Sequence, residues 1–81
     1  MKVPIKLFAA MREAAGADSV EIELREEATV AELRAALIER FPEQQALLAQ
    51  VLFALDAQYA GDKARISPRA EIACIPPVSG G

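Results

Sequence analysis

Alternating apolar and polar residues mark out the predicted strands of this chain. Residues 2–7 and 19–25 both alternate with period two, which predicts strands that bury one face each. Two later apolar runs, residues 51–55 and 71–75, predict further strands, and residues 59–60 predict a short one. The first two strands are close in sequence, so we expect them to form an antiparallel pair.

A single strong helix is predicted after the second strand. Thr29 and Glu32 have the spacing of a capping box, in which each side chain bonds the backbone of the other residue. Pro42 is expected to end the helix, and Arg34 is expected on its solvent face with the other charged residues. The apolar positions at helical spacing are Val30, Leu33, Leu37 and Phe41. Shorter helical segments are predicted over residues 9–15 and 43–50.

The order of these elements predicts an α+β fold of the ubiquitin-like β-grasp type. A mixed sheet would carry the main helix on one face, and the first and last strands would run parallel because a long crossover separates them. We assign residues 1–75 to this domain. Residues 76–81 are predicted to form a flexible, extended C-terminal Gly-Gly tail.

Composition excludes several classes of function. The chain has 81 residues, one cysteine and no histidine, so it lacks a histidine base, a Ser-His-Asp site and a cysteine-rich zinc site. We predict no bound metal: the acidic stretch between Glu13 and Glu32 is expected to be a solvated face, and Cys74 a buried apolar residue of the last strand. The net charge of −3 argues against nucleic acid as a partner. No apolar run suits a membrane span and no export signal is present, so we expect a cytoplasmic protein.

The C-terminal segment is the most unusual part of the sequence. Pro76 and Pro77 stiffen the exit from the last strand. They are followed by Val78, Ser79, Gly80 and Gly81, and the two glycines would let bare backbone enter a narrow channel. Fully extended, residues 77–81 span about 17 Å, which is enough to carry a terminal carboxylate into another protein.

With this tail, the chain resembles the small, sulfur-carrying subunit of molybdopterin synthase. The resemblance covers the whole chain, from residues 5–9 through the capped helix to Pro-Pro-Val-Ser-Gly-Gly. The family usually has asparagine where Asp56 stands. It also has an aromatic residue before its prolines, where this chain has Cys74 and Ile75, and residues 67–70 replace its last turn.

The resemblance implies a carrier that binds no cofactor and is not catalytic by itself. A ubiquitin-activating-type adenylyltransferase would use ATP to convert Gly81 to an acyl-adenylate, and a sulfur donor protein would turn it into a thiocarboxylate. The large synthase subunit would accept the tail, in a heterotetramer, and pass the sulfur to cyclic pyranopterin monophosphate. The tail from Pro76 to Gly80 would bind these partners.

Two residues outside the tail are candidate contacts for the large subunit. Phe8 is out of phase with the buried positions of the first strand, so we expect an exposed aromatic anchor, and Ile75 lies next to the tail. Three alternatives remain open: a sulfur carrier for thiamine, tRNA thiolation or cysteine synthesis, a ubiquitin-like protein modifier, and a binding module in which the Gly-Gly end is incidental.

Overall fold

A five-stranded sheet with one long helix on it forms the body of the molecule. The computed structural model describes residues 1–77 of the chain. A 3₁₀ turn at Pro42–Gln44 links the long helix to a short one. The elements are β1 (Lys2–Leu7), α1 (Ala9–Ala15), β2 (Ser19–Glu23), α2 (Val30–Arg40), α3 (Gln45–Leu48), β3 (Leu52–Leu55), β4 (Gln58–Ala60) and β5 (Ile72–Ile75).

The strand order is β2-β1-β5-β3-β4, which confirms the predicted β-grasp fold. β1 pairs antiparallel with β2 and parallel with β5, as expected for strands joined by a hairpin and by a long crossover. β5 also pairs antiparallel with β3, so the last strand occupies the middle of the sheet. No helix within residues 1–77 is long and apolar enough to cross a bilayer.

The core lies between α2 and one face of the sheet. β1 alternates strictly, with Val3, Ile5 and Leu7 buried and the residues between them exposed. From α2, the predicted positions Val30, Leu33 and Leu37 are fully buried, and Phe41 packs half-buried against this cluster. Within residues 1–77 no helix covers the opposite face of the sheet, so its side chains form a surface.

The capping box that the sequence predicts is present at the start of α2. The Thr29 hydroxyl accepts from the Glu32 backbone N–H at 3.3 Å, and the Glu32 carboxylate accepts from the Thr29 N–H at 2.8 Å. Arg25 forms a two-pronged contact with the same carboxylate. These bonds lower the pKa of Glu32 to about 2, chiefly through the Arg25 hydrogen bond and then through the Thr29 backbone.

The expectation that Arg34 lies on the solvent face of α2 is wrong. Its side chain is only 20% exposed and donates to the carbonyl of Leu48, the last residue of α3, at 2.7 Å and to that of Val51 at 2.9 Å. The guanidinium also lies 5.0 Å from the Phe53 ring centroid and 3.1 Å from Asp62. Arg34 therefore ties α2 to the segment that leads into β3.

Candidate functional site

The tail leaves the domain from the centre of the sheet. β5 ends at Ile75, which is half-buried, and it is flanked by β1 and β3. Pro76 is half-buried and Pro77 is exposed. The predicted tail residues Val78, Ser79, Gly80 and Gly81 lie outside the described residues, so their predicted roles stay predictions. The structure fixes the point from which the tail departs and the surface around it.

Phe8 lies beside that departure point. Its backbone is extended, with φ −130° and ψ 154°, so its side chain lies on the side of the sheet opposite to that of buried Leu7. Leu7 pairs with Cys74, so the next step of the register sets Phe8 beside Ile75. Phe8 is 44% exposed, as the sequence predicts for an anchor residue. The two candidate contact residues therefore share one surface.

Leu52 and Tyr59 enlarge this surface, and neither was predicted as a contact residue from the sequence. Leu52 pairs with Ile75 across the sheet and is 49% exposed. Ala73 pairs with Ala54, which pairs in turn with Tyr59, a residue 70% exposed. We call Phe8, Leu52, Tyr59, Ala73 and Ile75 the apolar patch.

The sequence did contain a sign of this patch. Residues 51–55 are all apolar, but a sheet covered by one helix can bury only alternate residues of such a strand. The second set must then face outward, as Leu52 does. A run of apolar residues in a strand with one covered face is thus an indication of a docking surface, since exposed apolar patches often mark interaction sites.

A tight turn holds the part of the patch that Tyr59 contributes. Asp56 and Ala57 both have positive φ, 51° and 68°, which is the pattern of a type I′ hairpin turn. The Asp56 carboxylate accepts from the Glu71 N–H at 2.9 Å, and the Asp56 N–H donates to the Glu71 carbonyl at 2.8 Å. An asparagine, which the resembled family usually has here, offers the same acceptor oxygen. This departure therefore leaves the local structure intact.

The other candidate reactive groups within residues 1–77 are one thiol and the acidic side chains. Cys74 is fully buried, and this burial raises its thiol pKa to about 11, so the thiol stays neutral. No cluster of three or more metal-ligating side chains is found within the described range. The acidic residues there are exposed or, like Glu32, engaged in a cap. What this domain can offer chemically is a docking surface and a place from which a tail extends.

Comparison with known proteins identifies the family of this chain and its relatives. The profile of the ThiS family matches residues 5–81. The molybdopterin synthase sulfur carrier subunit of Chlamydomonas reinhardtii is 34% identical over 83 residues, covering all of both chains.

Two solved structures share the fold over nearly their whole length. A putative molybdopterin converting factor subunit 1 from Pyrococcus furiosus is 29% identical with a TM-score of 0.82, covering 95% of this chain and 98% of that one. The small archaeal modifier protein 1 of Haloferax volcanii is 25% identical with the same TM-score and the same coverage. The β-grasp topology and the match over residues 5–81 lead to one conclusion: this chain belongs to the ThiS family, and among its relatives are molybdopterin synthase sulfur carrier subunits.

Proposed function

We propose that this chain is the sulfur carrier subunit of a molybdopterin synthase, with Gly81 as the residue that carries the sulfur. The observation that carries the proposal is the identity of 34%, over all of both chains, with a protein of that name. The fold supports it, because β5 ends in the middle of the sheet beside an exposed apolar patch. Docking through that patch would place the tail at the partner's surface.

The chemistry proposed for Gly81 begins with activation. A carboxylate is ionised at neutral pH, since its reference pKa is about 3.3–3.7, and it is a poor electrophile. An adenylyltransferase partner would let it attack the α-phosphorus of ATP, with pyrophosphate leaving. The outer sulfur of a persulfide on a donor protein would then displace AMP from the acyl-adenylate, and a thiol reductant would cleave the resulting acyl disulfide between its two sulfur atoms. The product is a Gly81 thiocarboxylate.

The sulfur would then pass to cyclic pyranopterin monophosphate in the active site of the large subunit. Two such transfers supply the two sulfurs of a dithiolene, and in each of them water hydrolyses the acyl–sulfur bond and returns Gly81 to a carboxylate. ATP is consumed on the activating partner, and this chain needs no bound cofactor of its own. The catalytic residues belong to the partners. The cytoplasm, where these partners would work, is the proposed location.

The proposed docking role of the patch can be tested by calorimetry with a purified large subunit. We expect Phe8→Ala and Leu52→Ala each to weaken binding, because exposed aromatic and apolar side chains at an interface centre contribute most of its energy. Glu39→Ala, on the exposed side of α2, is the matched control and is expected to bind like the parent. All three variants should melt like the parent. Unchanged affinity of both patch variants would remove the patch from the interface.

The role of the tail can be tested by reconstitution with the large subunit, the adenylyltransferase, a sulfur donor and the pterin precursor. Deleting Gly81 moves the carboxylate back by about 3.3–3.6 Å, and a misplacement near 1 Å already costs about a hundredfold in rate. Product formation should therefore fall to background. Gly80→Ala should also impair it, while Gly61→Ala, whose added methyl meets open space, should not. Parental activity of the deletion variant would refute the proposal.

A second function, protein modification, is favoured by one observation. The chain shares 25% identity and a TM-score of 0.82 with a protein named as a small archaeal modifier. A modifier would use the same activated carboxylate but form an isopeptide bond with a lysine. Peptide mass spectrometry of trypsin-digested total protein from the source cells would reveal lysines that carry residues 70–81 in isopeptide linkage, because Arg69 is the last basic residue of the chain. Such conjugates are expected from a modifier and are absent from the products of a sulfur carrier.

A further inference from the structure

A surface groove on the open face of the sheet contains two basic side chains without acidic partners. It has a volume of about 400 Å³, and its lining includes Lys6 of β1 and Arg69 of the loop before β5. Within residues 1–77, neither side chain forms a salt bridge, although four other arginines do. The chain as a whole carries a net charge of −3, so this groove stands apart from its surroundings.

The sheet register explains why Lys6 is unpaired. Lys6 lies between Ser19 on one side and Ala73 on the other, neither of which carries a charge. Lys2 protrudes from the same face of β1, but it sits directly opposite Glu23. Opposite charges facing each other across strands attract, and Lys2 has a carboxylate directly opposite while Lys6 has none.

Arg69 is held on a well-anchored loop. Its backbone N–H donates to the Ser67 hydroxyl at 3.4 Å, and the Ala70 N–H donates to the Ser67 carbonyl at 3.0 Å. Ile66 and Ala70, on either side of the turn, are buried. The Arg69 side chain itself is exposed and has no partner within the described residues. The loop thus fixes the backbone position from which the positive charge of Arg69 extends beside the sheet.

The groove is continuous with the apolar patch. Lys6 pairs in register with Ala73, which belongs to the patch, and Ile72 lines the groove one residue before it. Glu71 also lines the groove, and its one negative charge against the two positive charges of Lys6 and Arg69 leaves the lining with a net charge of +1. A protein that docks on the patch would therefore cover the groove at the same time.

We propose that Lys6 and Arg69 receive an acidic segment, with aspartate or glutamate side chains, of the partner protein that docks on the apolar patch. This inference rests on the proposed function and adds the charge of the partner surface to it. Charges that remain partly hydrated at an interface contribute more to the rate and selectivity of association than to affinity. The groove would thus orient the partner so that the tail meets the entrance to the partner's active site.

The test is the association rate with the large synthase subunit, measured by stopped-flow at low and at high salt. We compare the full-length chain with the double variant Lys6→Gln/Arg69→Gln. The matched control is Lys2→Gln/Lys63→Gln, which removes the same two charges from exposed positions outside the groove. We expect the groove variant to associate about tenfold more slowly at low salt and to lose most of its salt dependence, as for steered encounters. The control should stay close to the parent.

Several outcomes would overturn this inference. An unchanged rate for the groove variant, or an equal decrease in the groove variant and the control, would show that the groove makes no specific contribution while leaving the proposed function intact. Failure of the parent chain to bind the large subunit would contradict the proposed function, and the inference with it. Thermal melts accompany each variant. If the double variant melts early, the single variant Arg69→Gln, on the loop, gives the decisive rate.

Discussion

Replacing Arg34 with alanine should be among the most destabilising changes on the helix face that the sequence assigned to solvent. Its guanidinium donates to the carbonyls of Leu48 and Val51, at 2.7 and 2.9 Å. Leu48 ends α3, where carbonyls have no helical partner, so Arg34 serves as a cap supplied from another helix. Without it, these carbonyls lose a charged donor in a partly buried place.

The size of the effect follows from these contacts. Hydrogen bonds to charged groups contribute about 1.5–3 kcal/mol each and do not add fully, and stacking on Phe53 at 5.0 Å adds to them. We expect a loss of about 3–5 kcal/mol for Arg34→Ala. A chain of this length is stable by only about 4–12 kcal/mol, so a loss of this size would remove at least about a quarter of its stability.

Urea denaturation followed by circular dichroism would measure this loss. Arg34→Lys keeps the charge but lacks the planar head, in which one nitrogen bonds both carbonyls while the other bonds Asp62, so we expect it to recover only part of the stability. Arg40→Ala is the matched control: Arg40 is exposed and lies 5.7 Å from the Phe41 ring centroid, so its loss should stay within about 1 kcal/mol. A cost below about 0.5 kcal/mol for Arg34→Ala would mean that water replaces the guanidinium, and the reasoning would be wrong.

Three further predictions concern the turn, the cap and the thiol. In urea denaturation, Ala57→Gly should raise the free energy of unfolding by about 1 kcal/mol. A residue with a side chain loses about this much stability at the positive φ of 68° that Ala57 adopts, and glycine does not. A loss of stability in the variant would contradict this prediction. Glu32 has its pKa lowered to about 2 in the folded chain from 4.5, so its contribution is complete above pH 4.5 and is lost as the pH falls towards 2. Glu32→Gln should therefore flatten the decrease of stability in that window, and a parental slope would refute this. Cys74, buried with a pKa of about 11, should react with a thiol reagent at neutral pH only as fast as the domain unfolds; immediate labelling of the native chain would contradict its burial.

Local patterns predicted most of the fold. The capping box at Thr29 and the alternation of β1 are properties of a few neighbouring residues, and both appear in the structure as expected. The parallel pairing of β1 with β5 followed from the order of elements, since strands joined by a long crossover can run parallel. Strand ends differed by one or two residues, as with β2, which ends at Glu23 rather than at residue 25.

What the sequence did not reveal depends on contacts between distant segments. The inward position of Arg34 arises from carbonyls 14 and 17 residues away, which no helical pattern predicts. The apolar patch depends on the register that sets Ile75 beside Leu52 and, one step beyond the β1 pairing, beside Phe8. Phe8 itself was identified because it broke the alternation. Residues 78–81 lie outside the described range, so the tail chemistry rests on sequence and on relatives.

The mass of the chain purified from its own cells under non-reducing conditions tests the central claim most directly. We expect a species heavier than the carboxylate form by the difference between one sulfur and one oxygen atom, and fragmentation should place this difference on Gly81. Incubation with the large subunit and the pterin precursor should return the mass to that of the carboxylate. A chain that remains a carboxylate, even when the adenylyltransferase, ATP and a sulfur donor are supplied, would contradict the account.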